Sequence, residues 1–255
     1  MPSPPSLDSL ISKIRASTAR DRAVLNALSN ASGWPLPPAS PSPPAVRPLM
    51  LTFVAYRVDD PLGQIAALVT LAPIFALVAL GTWVVARREL HAICALAGAV
   101  LNAALCVGLK KIAEEPRPLG ATLQDHGMPS NHAQTAAFLS AYAIVFLWHG
   151  CTVHHAALWK PAMTTLAMLA AAAVGASRIH LGEHSPAQVG VGSAVGAAVG
   201  VAWYALYTAV LRPLLLPLLE HPLARYFYAR DASRVADVMR HEYDWHRAFA
   251  QTKAR

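Results

Sequence analysis

Charge is scarce in this chain. Only 14% of its 255 residues are Asp, Glu, Lys or Arg, against about a quarter in an ordinary soluble domain. The scarcity is also concentrated: no such residue occurs in 61–86, 90–109, 126–159, 161–177 or 184–211. Uncharged stretches of that length exclude a soluble fold with a solvated face on every element. Each is long enough to be read as a bilayer crossing, which takes roughly 20 mostly apolar residues. Cysteine is nearly absent too. Cys94, Cys106 and Cys151 sit in or beside apolar stretches, and an odd count without pairing spacing excludes a disulfide framework. The carboxylates Glu114, Glu115, Asp125 and Glu183 have no spacing suited to Mg²⁺. Residues 1–30 lack an apolar signal core, so the first crossing is expected to act as the insertion signal.

What is present is an all-α pattern: a polytopic transmembrane helical bundle with about five spanning helices, near 64–86, 91–109, 133–149, 161–178 and 186–210. Residues 1–48 form an N-terminal tail. Within it, 6–28 reads either as an interfacial amphipathic helix or as an unstructured tail, and 35–48 is a Pro-rich linker. Residues 49–211 form the membrane domain. Residues 212–255 form an interfacial segment and a basic C-terminal tail. The net charge of +7 belongs to membrane loops rather than to nucleic-acid binding, since basic residues gather on the cytoplasmic side of spanning proteins.

Three polar clusters interrupt the apolar pattern. "KKIAEEPRP" brackets the end of span two with Lys110 and Arg117. "GMPSNHAQ" opens span three with Ser130, Asn131 and His132. "SRIHLGEHSPAQ" joins spans four and five with Arg178, His184 and Gln188. Counting crossings puts all three on one membrane face. Ionisable groups at a membrane edge are costly unless they pair or serve a site. Arg offers a planar fork for phosphate oxygens and Lys a point charge. Imidazole serves as nucleophile or general acid near neutral pH. The set suits phosphoryl transfer through a phosphohistidine, without metal or other cofactor. The "HGCTVHH" loop, with His149, Cys151, His154 and His155, falls on the opposite face with poor ligand spacing.

The order and spacing K-x6-R-P, P-S-x-H, S-R-x5-H resembles the type 2 phosphatidic acid phosphatase superfamily, whose fold class includes the vanadium haloperoxidases. "LTFVAY", "RRELHAI", "EEPRP", "GMPSNHAQ", "SRIHLGEHSPAQ" and "ARDASRVADVMRHEY" make it most similar to the dolichyldiphosphatase branch. That likeness covers about 51–243 and leaves the first 45 residues outside. It implies a hydrolase in the endoplasmic reticulum membrane acting on dolichyl diphosphate held in the bilayer. It implies that His184 is the nucleophile and His132 the acid for the leaving phosphate. Lys110, Arg117, Ser130 and Arg178 would bind phosphate, with Asn131 and Gln188 supporting. The superfamily usually has Asp where Gln188 stands; the dolichyldiphosphatase branch has Gln. Gln188 also fits the third position of a capping box begun by Ser185, and the sequence leaves open which role it has. A phosphatase for another lipid phosphate, or a non-catalytic lipid-binding protein, would keep the same anion pocket.

Arg87, Arg88, Lys160 and the basic C-terminus share the face opposite the clusters. Positive-inside bias therefore puts the C-terminus in the cytoplasm and the clusters in the lumen. The sequon Asn30-Ala31-Ser32 would then be luminal. In translation with microsomes, Asn30 should acquire a glycan that an Asn30→Gln variant lacks. A C-terminal tag protected from protease in sealed microsomes would contradict this orientation.

Overall fold

The structure, a computed structural model, describes residues 46–49, 54–123, 125–152, 156–233, 235 and 237–253. The segment 6–28, the sequon, nearly all of the linker, and His154 and His155 lie outside the described residues. A short antiparallel hairpin comes first. β1 (Val46–Leu49) pairs with β2 (Val54–Arg57), with Val46 opposite Arg57 and Leu49 opposite Val54. Its second strand, "VAYR", carries the β-branched and aromatic residues that fit a pleated surface. This hairpin is a small departure from the all-helical expectation, and β1 enters the stretch read as linker.

The first crossing is two helices, not one. α1 (Gly63–Val69) ends at Thr70 and Leu71, and α2 (Ala72–Arg87) continues the span. Pro73, at the start of α2, removes a backbone donor and crowds the preceding turn, which breaks the helix there. The break leaves Thr70 fully buried. Arg88, in the left-handed conformation with φ 54°, ends α2 and turns the chain into α3 (Leu90–Ala113). α4 (Asn131–His149), α5 (Ala156–His180) and α6 (Pro186–Leu206) complete five long crossings. The α1–α2 unit, α3, α5 and the helical run begun by α6 have the length and composition of membrane spans. α4 is less apolar because it is central: it packs against α2, α3, α5 and α6. There it buries Gln134 and Thr135 against other helices rather than lipid. Gln134 Nε2 donates to the main-chain and side-chain oxygens of Asn102 on α3, both at 3.0 Å.

The tightest packing is between α4 and α6. Gly192, Gly196 and Gly200 repeat every fourth residue along one face of α6. A methyl group built on Gly192 would lie 2.7 Å from Ser130 O, and one on Gly200 2.6 Å from Phe138 O. On Gly196 it would collide with Gln134 O. Backbones approach this closely only where side chains are missing, the small-xxx-small arrangement of membrane helices. The four-residue spacing is visible in the sequence itself. Beyond α6 the chain passes through a π turn (Tyr207–Leu211), α7 (Arg212–Leu215), a 3₁₀ turn (Leu216–Glu220) and α8 (Pro222–Tyr226). It then returns to the α2–α3 turn. Arg230 exchanges backbone bonds with Arg88 and Leu90, Arg212 pairs with Asp231 at 3.0 Å, and Arg87 pairs with Glu242 of α9 (Val238–Lys253).

The glycine ridge gives a direct test. Gly196→Ala should cost several kcal/mol of stability, as overpacking against a backbone does (about 1–3 kcal/mol or more). It should lower the melting temperature in detergent. Gly190→Ala, with nothing within 4 Å of the added methyl, should melt like the parent.

Candidate active site

The structure brings the three clusters together through ion pairs and hydrogen bonds. Lys110, in the last turn of α3, pairs with Asp125 at 3.1 Å and donates to His126 O. Arg117 reaches Asp125 Oδ1 through Nε at 2.6 Å. Its Nη1 lies 3.2 Å from each of Glu183 O, Glu183 Oε2 and His184 Nε2. Arg178, from the last turn of α5, lies 3.7 Å from Glu183 Oε2 and donates to Thr70 Oγ1 at 3.1 Å. The helix break in the first crossing thus supplies a partner to the third motif. Partial burial works to raise the Asp125 carboxyl, but Arg117 and Lys110 outweigh it and bring it down to about 2.

His184 is 97% buried, with 3% of its surface exposed. Its Nδ1 lies 3.1 Å from Gln188 Oε1. The orientation of that amide is fixed from its other end, where Nε2 donates to Glu115 Oε1 at 2.8 Å and to Pro116 O at 2.9 Å. Both are acceptors, so the oxygen must face His184. The imidazole proton therefore sits on Nδ1, and the lone pair of Nε2 faces Arg117. Burial pushes the imidazole down, the Arg117 charge adds to this, and the Gln188 bond opposes it. The result is about 4, so His184 is neutral at neutral pH.

Gln188 has both of the roles its position left open. With Ser185 it closes a complete capping box at the start of α6, and it also orients the His184 ring. It is 1% exposed and ties the first motif to the third. Its main-chain oxygen accepts from Ser130 N at 3.1 Å, adding the second motif. Gly127 packs against the Gln188 amide, leaving no room for a side chain.

Ser130 is fully buried, and its Oγ has no hydrogen-bond partner. Arg178 Nε is likewise buried and unpartnered. Native structures satisfy nearly all such atoms, so two orphaned donors, one in the second motif and one in the third, mark room for an acceptor-rich group. His132 is half-buried in the first turn of α4, within electrostatic reach of Arg178, His184 and Arg117. Asn131 is exposed, and its Oδ1 accepts from Thr135 Oγ1 at 3.5 Å. His180, outside the motif, pairs with Asp60 beyond the hairpin at 2.7 Å.

Sequence reasoning missed Thr70, Thr122, Asp125 and Glu183. Glu115, without a metal pattern in the sequence, accepts from Gln188. An acid directly before His184, at the edge of an uncharged window, was the one local signal for Glu183. At the other end of α4, a separate cavity of about 310 Å³ is lined by Glu89, His91, His149, Cys151 and Lys160 among others.

The PAP2 superfamily pattern matches residues 91–212. Dolichyldiphosphatase 1 of Mus musculus is 34% identical over 222 residues, 84% of this chain and 93% of that protein. The Homo sapiens protein of the same name is 33% identical over the same shares. Lipid phosphate phosphatase gamma of Arabidopsis thaliana is 33% identical, over 81% of this chain and 93% of its own. Among solved structures, a transmembrane PAP2-type phosphatidylglycerolphosphate phosphatase from Bacillus subtilis superposes with a TM-score of 0.51. It is 22% identical and covers 60% of this chain and 80% of its own, a likeness of fold.

The Gln188 geometry predicts a signed pH effect. A carboxylate at Nδ1 favours imidazolium more than an amide does. In Gln188→Glu the NMR titration midpoint of His184 should rise from about 4 toward the ordinary 6.5. The same variant should melt lower, because the new carboxylate faces Glu115 and Pro116 O. An unmoved midpoint would make Gln188 a helix cap only.

Proposed function

The chain belongs to the PAP2 superfamily, and from that premise we propose that it is a metal-independent lipid pyrophosphate phosphatase. Its substrate is dolichyl diphosphate, hydrolysed to dolichyl phosphate and inorganic phosphate. One observation supports this chemistry above the rest. The Nε2 lone pair of a neutral His184 lies 3.2 Å from Arg117 Nη1, and the second and third motifs each carry an unpartnered buried donor, Ser130 Oγ and Arg178 Nε. A nucleophile and phosphate donors converge there at the membrane edge, where a lipid keeps its tail in the bilayer.

His184 Nε2 attacks the terminal phosphorus, and the bond to the bridging oxygen breaks. His132 gives its proton to that oxygen as dolichyl phosphate leaves. Lys110, Arg117 and Arg178 take up the charge that grows on the equatorial oxygens, the part a metal often plays. Water then attacks the phosphohistidine, His132 accepts its proton, and His184 is regenerated with release of phosphate. Gln188 holds Nδ1–H throughout. The low basicity of His184 keeps the nucleophile free at neutral pH and makes it a good leaving group in the second step.

The dolichyl substrate rests on the mammalian relatives, which this chain matches over 93% of their length. On this reading the enzyme works in the endoplasmic reticulum membrane with its site toward the lumen, recycling the lipid carrier of N-glycosylation. A second reading, a monoester lipid phosphatase, is favoured by the comparable identity to the Arabidopsis lipid phosphate phosphatase.

A panel of dolichyl diphosphate, phosphatidate and sphingosine phosphate separates the two. The purified protein should release phosphate fastest from the diphosphate, in the presence of EDTA, with inhibition by vanadate. His184→Ala should lose on the order of 1,000-fold or more. His132→Ala should lose on the order of 100-fold to 10,000-fold. Preference for a monoester would overturn the dolichyl reading, and unchanged release by His184→Ala would overturn the mechanism.

A further inference from the structure

The cations of the cluster already carry an anion of this chain's own. Glu183 is 95% buried, with 5% of its surface exposed. Its Oε2 lies between Arg117 Nη1 at 3.2 Å and Arg178 Nη2 at 3.7 Å. Its Oε1 is held by the backbone N–H of Thr122 at 3.2 Å and by the Thr122 hydroxyl. The Arg117 nitrogen that holds this carboxylate is the one that faces His184 Nε2. A phosphoryl group within reach of His184 must therefore share Arg117 and Arg178 with Glu183 or take them from it.

We propose that Glu183 is an internal counter-anion that the substrate phosphate displaces and that returns to expel the product phosphate. The inference rests on the reading of this cluster as a phosphate site. A carboxylate brings one negative charge and two acceptor oxygens. A lipid diphosphate brings more charge and is held at the membrane edge by its tail, so it wins the exchange. Inorganic phosphate has no tail and loses to a carboxylate tethered one residue from the nucleophile. The device keeps Arg117 and Arg178 paired between turnovers and weakens product inhibition. Its cost is weaker substrate binding, because the Glu183 ion pairs must break first.

The opposite role, a carboxylate that merely positions the two arginines, makes the opposite prediction. Removing a positioning group weakens anion binding; removing a competing anion strengthens it. The test is isothermal titration of the purified full chain in detergent with inorganic phosphate and with orthovanadate. It needs no lipid substrate. Glu183→Gln and Glu183→Ala should each bind both anions about tenfold or more tightly than the wild type, the scale of one nearby fixed charge removed. Asp125→Asn, half-exposed and farther along Arg117, should tighten binding less. With lipid substrate, Glu183→Gln should lower KM and strengthen inhibition by added phosphate. Equal or weaker binding by a folded Glu183→Gln or Glu183→Ala protein would overturn the inference alone. A wild type that binds neither anion would overturn the phosphate-site reading, and the inference with it.

Discussion

Three cations gathered at the edge of a low-dielectric slab repel one another unless anions stand between them. Everything at this end of the molecule follows from that constraint. Lys110 and Arg117 share Asp125, and Arg117 and Arg178 share Glu183. Without such partners the desolvation of buried guanidinium groups would be prohibitive. With them, the cluster is stable yet still exchangeable, because an arriving phosphate can replace a carboxylate on the same fork. Burial, with the same positive field added to it, holds His184 neutral, so the surroundings that suit an anion also set the state of this imidazole.

Charge balance alone does not set geometry; helix packing does. The glycine face of α6 lets α4 approach to backbone contact, which brings Ser130 against Gln188 O. Gln188 then touches His184, Ser185, Glu115 and Pro116. One neutral residue, by its side chain and its main-chain oxygen, thus joins all three motifs. An Asp in that place would be too short to span this distance. It would also set a second carboxylate beside Glu115. The glutamine suits a cluster already crowded with anions.

Much of this was legible in the sequence. Uncharged windows placed five crossings, and their parity put the three clusters on one face. The capping box at Ser185 and Gln188 was readable from type and spacing alone. Other features were not, for physical reasons. Thr70 meets Arg178 only because Pro73 breaks the first crossing, and the partner lies 108 residues away. Asp125 and Glu183 looked like acids without a metal pattern, since ion pairing is settled by three-dimensional proximity. Asn131 sits inside a strong motif yet faces outward, because successive residues on a helix point about 100° apart. The small hairpin escaped notice because four-residue strands beside a Pro-rich stretch give almost no periodic signal.

The proposed reaction runs through a phosphoryl group on His184. Rapid quench of the wild type with dolichyl diphosphate, followed by peptide mass spectrometry under alkaline conditions, tests it most directly. An acid-labile, alkali-stable phosphate is expected on His184, accumulating when His132 is replaced by Asn. Full turnover with no phosphorylated His184 at any quench time, in either protein, would contradict it.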